Sequence, residues 1–498
     1  MTHSQTLVRA LSIALAAAPL IANSSAAQVM GQPAAKPQAV VMKGRAPVSD
    51  KVLDVKLPRA KEADLANGIH LIVLEDHRTP QVSFQLIIPG AGGYFDAPNA
   101  NGVASITALM MREGTPTRST TQIAEQIETM AAGFGVNAAM SGLDAQVSGS
   151  ALTEKLGPVF DLAADVLLNP TFPESELAKY KQRTAAQLAQ QRASPGFLAQ
   201  ELYSKVMMGD HPGSRISMTP DDVKSVTRDQ LVAFYKSHYV PDHAAIAFSG
   251  DISLEQARQL VDSRLGGWKK AGTPVVAAKD PPMSGPAKVY LVDRPNSVQT
   301  SFVVGAPGVD RLHKDYDVLQ MMNQVIGGGP TGRLFTHLRE EKGYTYGAYS
   351  NLNAGRFRGT WTASTDVRSE VTEPALTDLM DEIRQMREIT VSPKELQDKK
   401  RSMVANFALS LESPQQVLGY YVTRWIYKLS EDYWDKYPAR IMAVTSAQVQ
   451  NAAKVYLAPD KVQIVSVGDG KKIEATMKKF GPLEIYDTEG RKRDALVP

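Results

Sequence analysis

The chain has 498 residues, 43% hydrophobic and 21% charged, and its 55 Lys and Arg against 52 Asp and Glu leave a formal net charge of only +3. That composition excludes a disordered chain, fits about two to four globular domains, and supplies no surplus of cations for phosphates, so nucleic acid is not an expected partner. Cysteine is absent, which excludes disulfides, thiolate metal sites and a cysteine nucleophile.

In chain order, Arg9 precedes a largely apolar run from Ala10 to Ala22, followed by Asn23-Ser24-Ser25-Ala26-Ala27. The run is too short to span a bilayer, and small residues precede a cut after Ala27, so residues 1–27 are expected to be a cleavable secretory signal that exports the chain to the periplasm. No later stretch reaches the roughly 18 consecutive apolar residues of a membrane helix, so no membrane span is expected. Residues 28–55 carry Pro33, Pro37 and Pro47 without a sustained period, which predicts a flexible leader. A second break, residues 266–287, contains Pro274, Pro281, Pro282 and Pro286 with several glycines; such a stretch suits neither helix nor central strand and is expected to link two domains, residues 56–265 and 288–498.

The flanking segments repeat one another. Gln81-Val82-Ser83-Phe84 recurs as Gln299-Thr300-Ser301-Phe302, Val226-Thr227 as Val444-Thr445, Ser194-Pro195 as Ser413-Pro414, and Gly250-Asp251 as Gly468-Asp469. Matches in the same order at a nearly constant offset indicate a duplicated domain rather than a solenoid. Each copy opens with two apolar strands (Ile69 to Glu75 and Val82 to Ile88; Lys288 to Asp293 and Thr300 to Gly305). A periodic helix follows, then alternating strands such as Ala145 to Ser150 and Gly359 to Ser364. Helices over Glu176 to Gln191 and Lys394 to Ser410 stop before the Ser-Pro pairs, and a last strand ends at Gly-Asp. Strands and helices without strict βαβ alternation predict an α+β fold of two homologous domains, each a mainly antiparallel sheet packed with helices.

The segment Gly102-Val103-Ala104-Ser105-Ile106-Thr107-Ala108-Leu109-Met110-Met111-Arg112-Glu113-Gly114-Thr115 resembles the zinc-binding helix of the pitrilysin/insulinase peptidases, the inverzincins, whose motif is H-x-x-E-H. In that family two His one turn apart hold zinc and the Glu is the general base. The matching slots here hold Ser105, Ala108 and Leu109, and the family's third ligand, a Glu on a later helix, falls at about Gln187. The resemblance therefore implies the scaffold of the motif without its metal ligands.

A second resemblance lies in the other copy. The segment from Gly332 to Tyr346 is similar to the family's C-terminal-half motif, in which an Arg and a Tyr seven residues apart reach the substrate; Arg339 and Tyr346 have that spacing. By this resemblance they hold a peptide carbonyl and stabilise its oxyanion, roles for which a guanidinium fork and a phenol are suited donors. The preceding turn, Gly327-Gly328-Gly329, would contribute to substrate contact. It is no phosphate loop, since Pro330 removes an amide donor and Arg333 stands where Lys is needed.

Other constellations are weaker. His337-Leu338-Arg339-Glu340-Glu341 lacks a second His and is expected to be a solvated helix face. His238 and His243 straddle Pro241 and cannot share a helical face. Ser105 has no nucleophile elbow, and the run from Tyr420 to Tyr427 suits a helix with a buried aromatic face. The expectation is a division of labour: a zinc-less subunit of an exported heterodimeric zinc metallopeptidase, inactive alone, whose homologous partner carries the zinc and to whose peptide substrate this chain brings Arg339 and Tyr346. The alternative is a non-catalytic structural or peptide-binding protein of the same fold; a self-sufficient hydrolase ranks last, because no other acid, base and nucleophile replace the lost ones.

Overall fold

The computed structural model describes residues 55–272, 274 and 277–496. The expected signal segment and almost all of the expected leader lie outside the described residues. Two sheets organise the chain. The first contains β1 (Lys61–Asp64), β2 (His70–Glu75), β3 (Gln81–Pro89), β4 (Gly133–Ala138), β5 (Asp144–Leu152) and β6 (Ala245–Gly250), in the order β1-β2-β6-β3-β5-β4. The second contains β7 (Val289–Asp293), β8 (Gln299–Pro307), β9 (Thr345–Asn353), β10 (Thr360–Arg368), β11 (Gln463–Gly468), β12 (Leu483–Tyr486) and β13 (Lys492–Arg493), in the order β13-β12-β7-β11-β8-β10-β9. The five strands β2-β6-β3-β5-β4 and β7-β11-β8-β10-β9 share one order, so the duplication read from sequence is a duplication of topology.

In each copy the two opening strands are not neighbours. β6 lies between β2 and β3, parallel to the first and antiparallel to the second, and β11 separates β7 from β8 in the same way. The reason is burial. Every residue of β6 and β11 is buried, and a strand apolar on both faces must take a central place. By contrast β5 alternates buried and half-buried residues along most of its length, as a strand with one covered face does.

Helices cover the outer face of each sheet. Leu156–Leu168 sets Phe160 edge-on against Phe84, ring centroids 5.2 Å apart, and Phe248 completes the cluster. In the second copy Trp361 is buried in the core, and its indole nitrogen donates to Asn323 Oδ1 at 3.1 Å.

The inner faces are covered by exchange. After Ser194, whose side chain accepts from the Phe197 amide, Pro195 opens a helix, Pro195–Met208; after Ser413, which accepts from the Gln416 amide, Pro414 opens another, Pro414–Tyr427. A Ser cap followed by Pro in the first turn is a strong helix start. Both helices cross to the other copy. Leu198, Leu202, Tyr203 and Met207 pack on Tyr290, Val303 and Val465 of the second sheet. Val417, Leu418 and Tyr421 pack on Ile72, Ile87 and Ala247 of the first. Tyr203 is fully buried, its hydroxyl donates to the Trp361 carbonyl at 3.2 Å, and Gly305 makes room for it, since a Cβ there would lie 2.1 Å from the phenolic oxygen. The Tyr420–Tyr427 run expected to bury an aromatic face does so through Tyr421. The connecting segment lies against both copies: the Lys279 amide donates to the Tyr94 hydroxyl at 3.0 Å, and Asp280 accepts from the Arg358 amide at 2.7 Å.

Candidate functional site

The helix Val103–Met110 starts beyond Gly102, which sits at φ 90°, a backbone setting that favours glycine. The start has no cap of its own; instead the Asp96 carboxylate accepts from the Gly102 and Ala104 amides, each at 2.8 Å. Burial pushes the Asp96 carboxyl up to about 6, although both amide bonds favour its ionised form. The three motif slots on this helix have separate fates. Ser105 donates to the Ala138 carbonyl of edge strand β4 at 2.6 Å. Ala108 is wholly buried in the core, whereas Leu109 is 42% exposed. Gln187 lies on the exposed side of the helix Glu174–Arg192. A committed hydroxyl, a methyl, an isobutyl group and a neutral amide do not fit a zinc ion, which requires imidazole, thiolate or carboxylate ligands. Among the described residues no group of three or more His, Cys, Asp or Glu is arranged to hold a metal.

Arg339 and Tyr346 are brought together. Arg339 lies in a widened helical turn, Thr336–Glu341, and Tyr346 near the start of β9. Arg339 Nη1 donates to the Tyr346 carbonyl, its Nε donates to Glu340 Oε1 at 3.1 Å, and its guanidinium stands 5.1 Å from the centre of the Phe335 ring. Among the described residues nothing accepts from Nη2. The Tyr346 side chain is 86% exposed. A guanidinium fixed on two sides with a free edge, beside a phenol in water, presents donors to whatever enters. Edge strand β9 pairs only with β10, and its register with β10 slips between Thr365 and Val367, at the Tyr346 end. Such a bulge re-aims side chains.

The glycine turn ahead of this pair is shaped by packing. A Cβ on Gly327 would lie 2.6 Å from the Ser350 amide nitrogen, and one on Gly328 2.7 Å from the Gln324 Cα, whereas Gly329 faces open space. Arg333 is bound bidentately to Glu395 at 2.8 and 2.7 Å, and Lys399 donates to the Thr331 carbonyl at 2.5 Å. Burial pushes the Lys399 ammonium below its ordinary range.

The structure corrects one sequence expectation here. His337 is not on a solvated face: it is half-buried, with Nδ1 2.9 Å from Glu382 Oε1 on the buried side of the helix Thr372–Glu388. A partner 45 residues away could not be seen from local spacing. His238 and His243 do border one small cavity of about 110 Å³, but His238 Nδ1 is 2.7 Å from the Gly90 carbonyl and its ring stacks on Phe234.

Fold and site together define a duplicated peptidase-fold chain in which the metal-binding half of the site is vacated. Residues 71–221 match the model of the insulinase family, peptidase family M16, and residues 225–403 match that of the peptidase M16 inactive domain. The chain belongs to the pitrilysin/insulinase-type (M16) peptidase family. It is 27% identical over 348 residues to the uncharacterized zinc protease YmxG of Bacillus subtilis, covering 70% of this chain and 83% of that one. An uncharacterized zinc protease of Rickettsia bellii is 26% identical over 357 residues, with the same coverage of both chains. Among solved structures, a peptidase M16 inactive domain from Pseudomonas fluorescens superposes with a TM-score of 0.76 at 29% identity, over 82% of this chain and 98% of that one. A protease from Helicobacter pylori shares the fold at the same TM-score and 15% identity, over 83% of this chain and all of that one.

Proposed function

We propose that this chain is the non-metal subunit of an exported, heterodimeric zinc metallopeptidase, in which a homologous chain carries the metal ligands missing here. The observation that carries this reading is the asymmetry of the site. The slots on the helix Val103–Met110 have been absorbed into structural roles or filled with apolar groups, while Arg339, held by its hydrogen bonds, stays partly in water and the Tyr346 side chain largely so. In the complex, the free guanidinium edge of Arg339 holds a peptide carbonyl and the Tyr346 hydroxyl donates to the oxyanion as charge develops on it.

The test is kinetic. With a homologous chain bearing H-x-x-E-H, the pair hydrolyses peptides that neither chain cleaves alone. Tyr346→Phe removes one hydroxyl and almost no volume, and lowers kcat by about 10²- to 10³-fold while leaving assembly and the partner's zinc content intact. Wild-type kcat and KM in that variant, or failure of any zinc-bearing homologue to associate, overturns the proposal.

A further inference from the structure

The widened turn that carries Arg339 needs something to hold it open. Within it the Lys342 amide donates to the His337 carbonyl at 3.1 Å, five residues back, and the Tyr344 amide donates to the Leu338 carbonyl at 3.0 Å, six residues back. Such turns are rare, because the tighter α-helical ring is the ordinary arrangement. Leu338 anchors this one in the core, where it is fully buried. His337 anchors it by polar means: Nδ1 lies 2.9 Å from Glu382 Oε1, and Nε2 lies 3.8 Å from Asp378 Oδ2, one turn earlier on the helix Thr372–Glu388. Lys342, just beyond the turn, sits 3.7 Å from the same Asp378 oxygen. Both ends of the turn thus face carboxylates of one helix.

Packing does not call for this arrangement. Glu382 stands among Ala375, Leu376, Leu379, Ile383 and Met386 on the buried face of its helix and is itself only 7% exposed. A carboxylate in such a place is unfavourable unless it is paired, and an apolar side chain of similar size would pack there more readily. Arg333, whose charge reaches Glu382, is already held bidentately by Glu395. Among the described residues Glu382 Oε2 and Asp378 Oδ2 have no hydrogen-bond partner, which leaves the bond to His337 as the one that Glu382 makes there.

The guanidinium of Arg339 depends on that bond, because its other holds are local. It donates to the Tyr346 carbonyl and to Glu340 and stands against the Phe335 ring, and none of these fixes where the turn itself lies. Relaxing the turn to an ordinary helix would drop one residue from it and swing Arg339 by about 100° around the axis, away from the Tyr346 carbonyl.

We propose that His337, held by Glu382, is the positioning residue for Arg339: it keeps the turn widened and so sets where the guanidinium meets a ligand. The use made of Arg339 rests on the proposed function, whereas the hold on it does not.

The test begins on the full chain alone, with nitrogen-15 spectra of its guanidinium groups, the Arg339 signals being assigned by their loss in Arg339→Lys. A held guanidinium gives separate Nη signals, and a freely rotating one gives a single averaged signal. Glu382→Met replaces the carboxylate with an apolar side chain of similar length; it is expected to leave the melting temperature unchanged or higher, and yet to merge the Arg339 signals. His337→Ala merges them too, and His337→Asn, whose amide nitrogen takes the place of Nδ1, separates them again. A role in packing alone would move melting temperature and signals together. The inference is overturned if the Arg339 signals stay separate in both Glu382→Met and His337→Ala, if His337→Asn fails to restore them, or if they merge only where stability is lost. In a reconstituted peptidase pair, Glu382→Met lowers kcat by about tenfold to a hundredfold with little change in KM. Turnover indifferent to both Glu382→Met and Tyr346→Phe, beside the expected Arg339 response, removes the catalytic reading and leaves the positioning standing.

Discussion

The two copies share five strands in one order and diverge in how they treat polar groups at equivalent edges. At edge strand β4 the first copy has turned inward: Ser105 ties helix to strand and Ala108 joins the core. At edge strand β9 the second copy keeps Arg339, Tyr346 and Tyr349 turned to solvent. On the helix Val103–Met110, one motif slot is taken up by core packing and one by a hydrogen bond, and the third carries an exposed apolar side chain. The exposed Tyr346 ring beside the held Arg339 guanidinium has no such packing role, and under the proposed reading the pair serves the partner's substrate.

The comparison can be broken most forcefully at the crossing helices. Tyr203→Ala deletes a fully buried ring and its hydroxyl bond and is expected to destabilise the chain by about 3–5 kcal/mol in urea unfolding, the range for large aromatic deletions. Tyr346→Ala, at a residue 86% exposed, should leave the same transition where it was; a comparable loss there would mean that the second copy's edge is structural after all. Next in size is Ser105→Ala, which strands the Ala138 carbonyl at the helix–strand contact and should cost about 1–2 kcal/mol. An unchanged midpoint would show that the slot is merely empty.

The smallest expected effect is a pH dependence where the copies meet. His70 bonds Glu62 at 3.0 Å and Asp64 at 2.7 Å and stacks on Trp425 of the crossing helix, while Arg424 of that helix bonds Glu62. The bond to Glu62 above all, and that to Asp64, raise the His70 pKa against the opposing effect of burial. A folded-state value above the unfolded one gives stability that is complete below the unfolded value of about 6.5 and is lost as pH rises through the folded value. His70→Gln should therefore cost more at pH 6 than at pH 9, and an equal cost at both would exclude this latch.

The strands were legible because their patterns are local: the alternation of β5 and the unbroken apolar run of β6 each show in six to nine residues. The Ser-Pro pairs were legible as helix boundaries but not as the start of an exchange, since nothing near Ser194 names Val303 or Val465 as its helix's destination. Strand order was hidden for the same reason: that β6 must lie between β2 and β3 follows from burial on both faces, a property of the folded sheet. Arg339 and Tyr346 were found through their spacing within a family motif.

The exchanged helices also set an order of events. The first sheet's inner cover, Pro414–Tyr427, is synthesised more than 160 residues after β6, so the first half emerges with the apolar strip over Ile72, Ile87 and Ala247 lacking Val417, Leu418 and Tyr421 from its cover. Severing the chain within residues 266–287 should therefore yield two fragments that aggregate when made singly and dissolve when made together. Fragments that behave so would make completed translation a condition of folding, with each half serving as the other's chaperone.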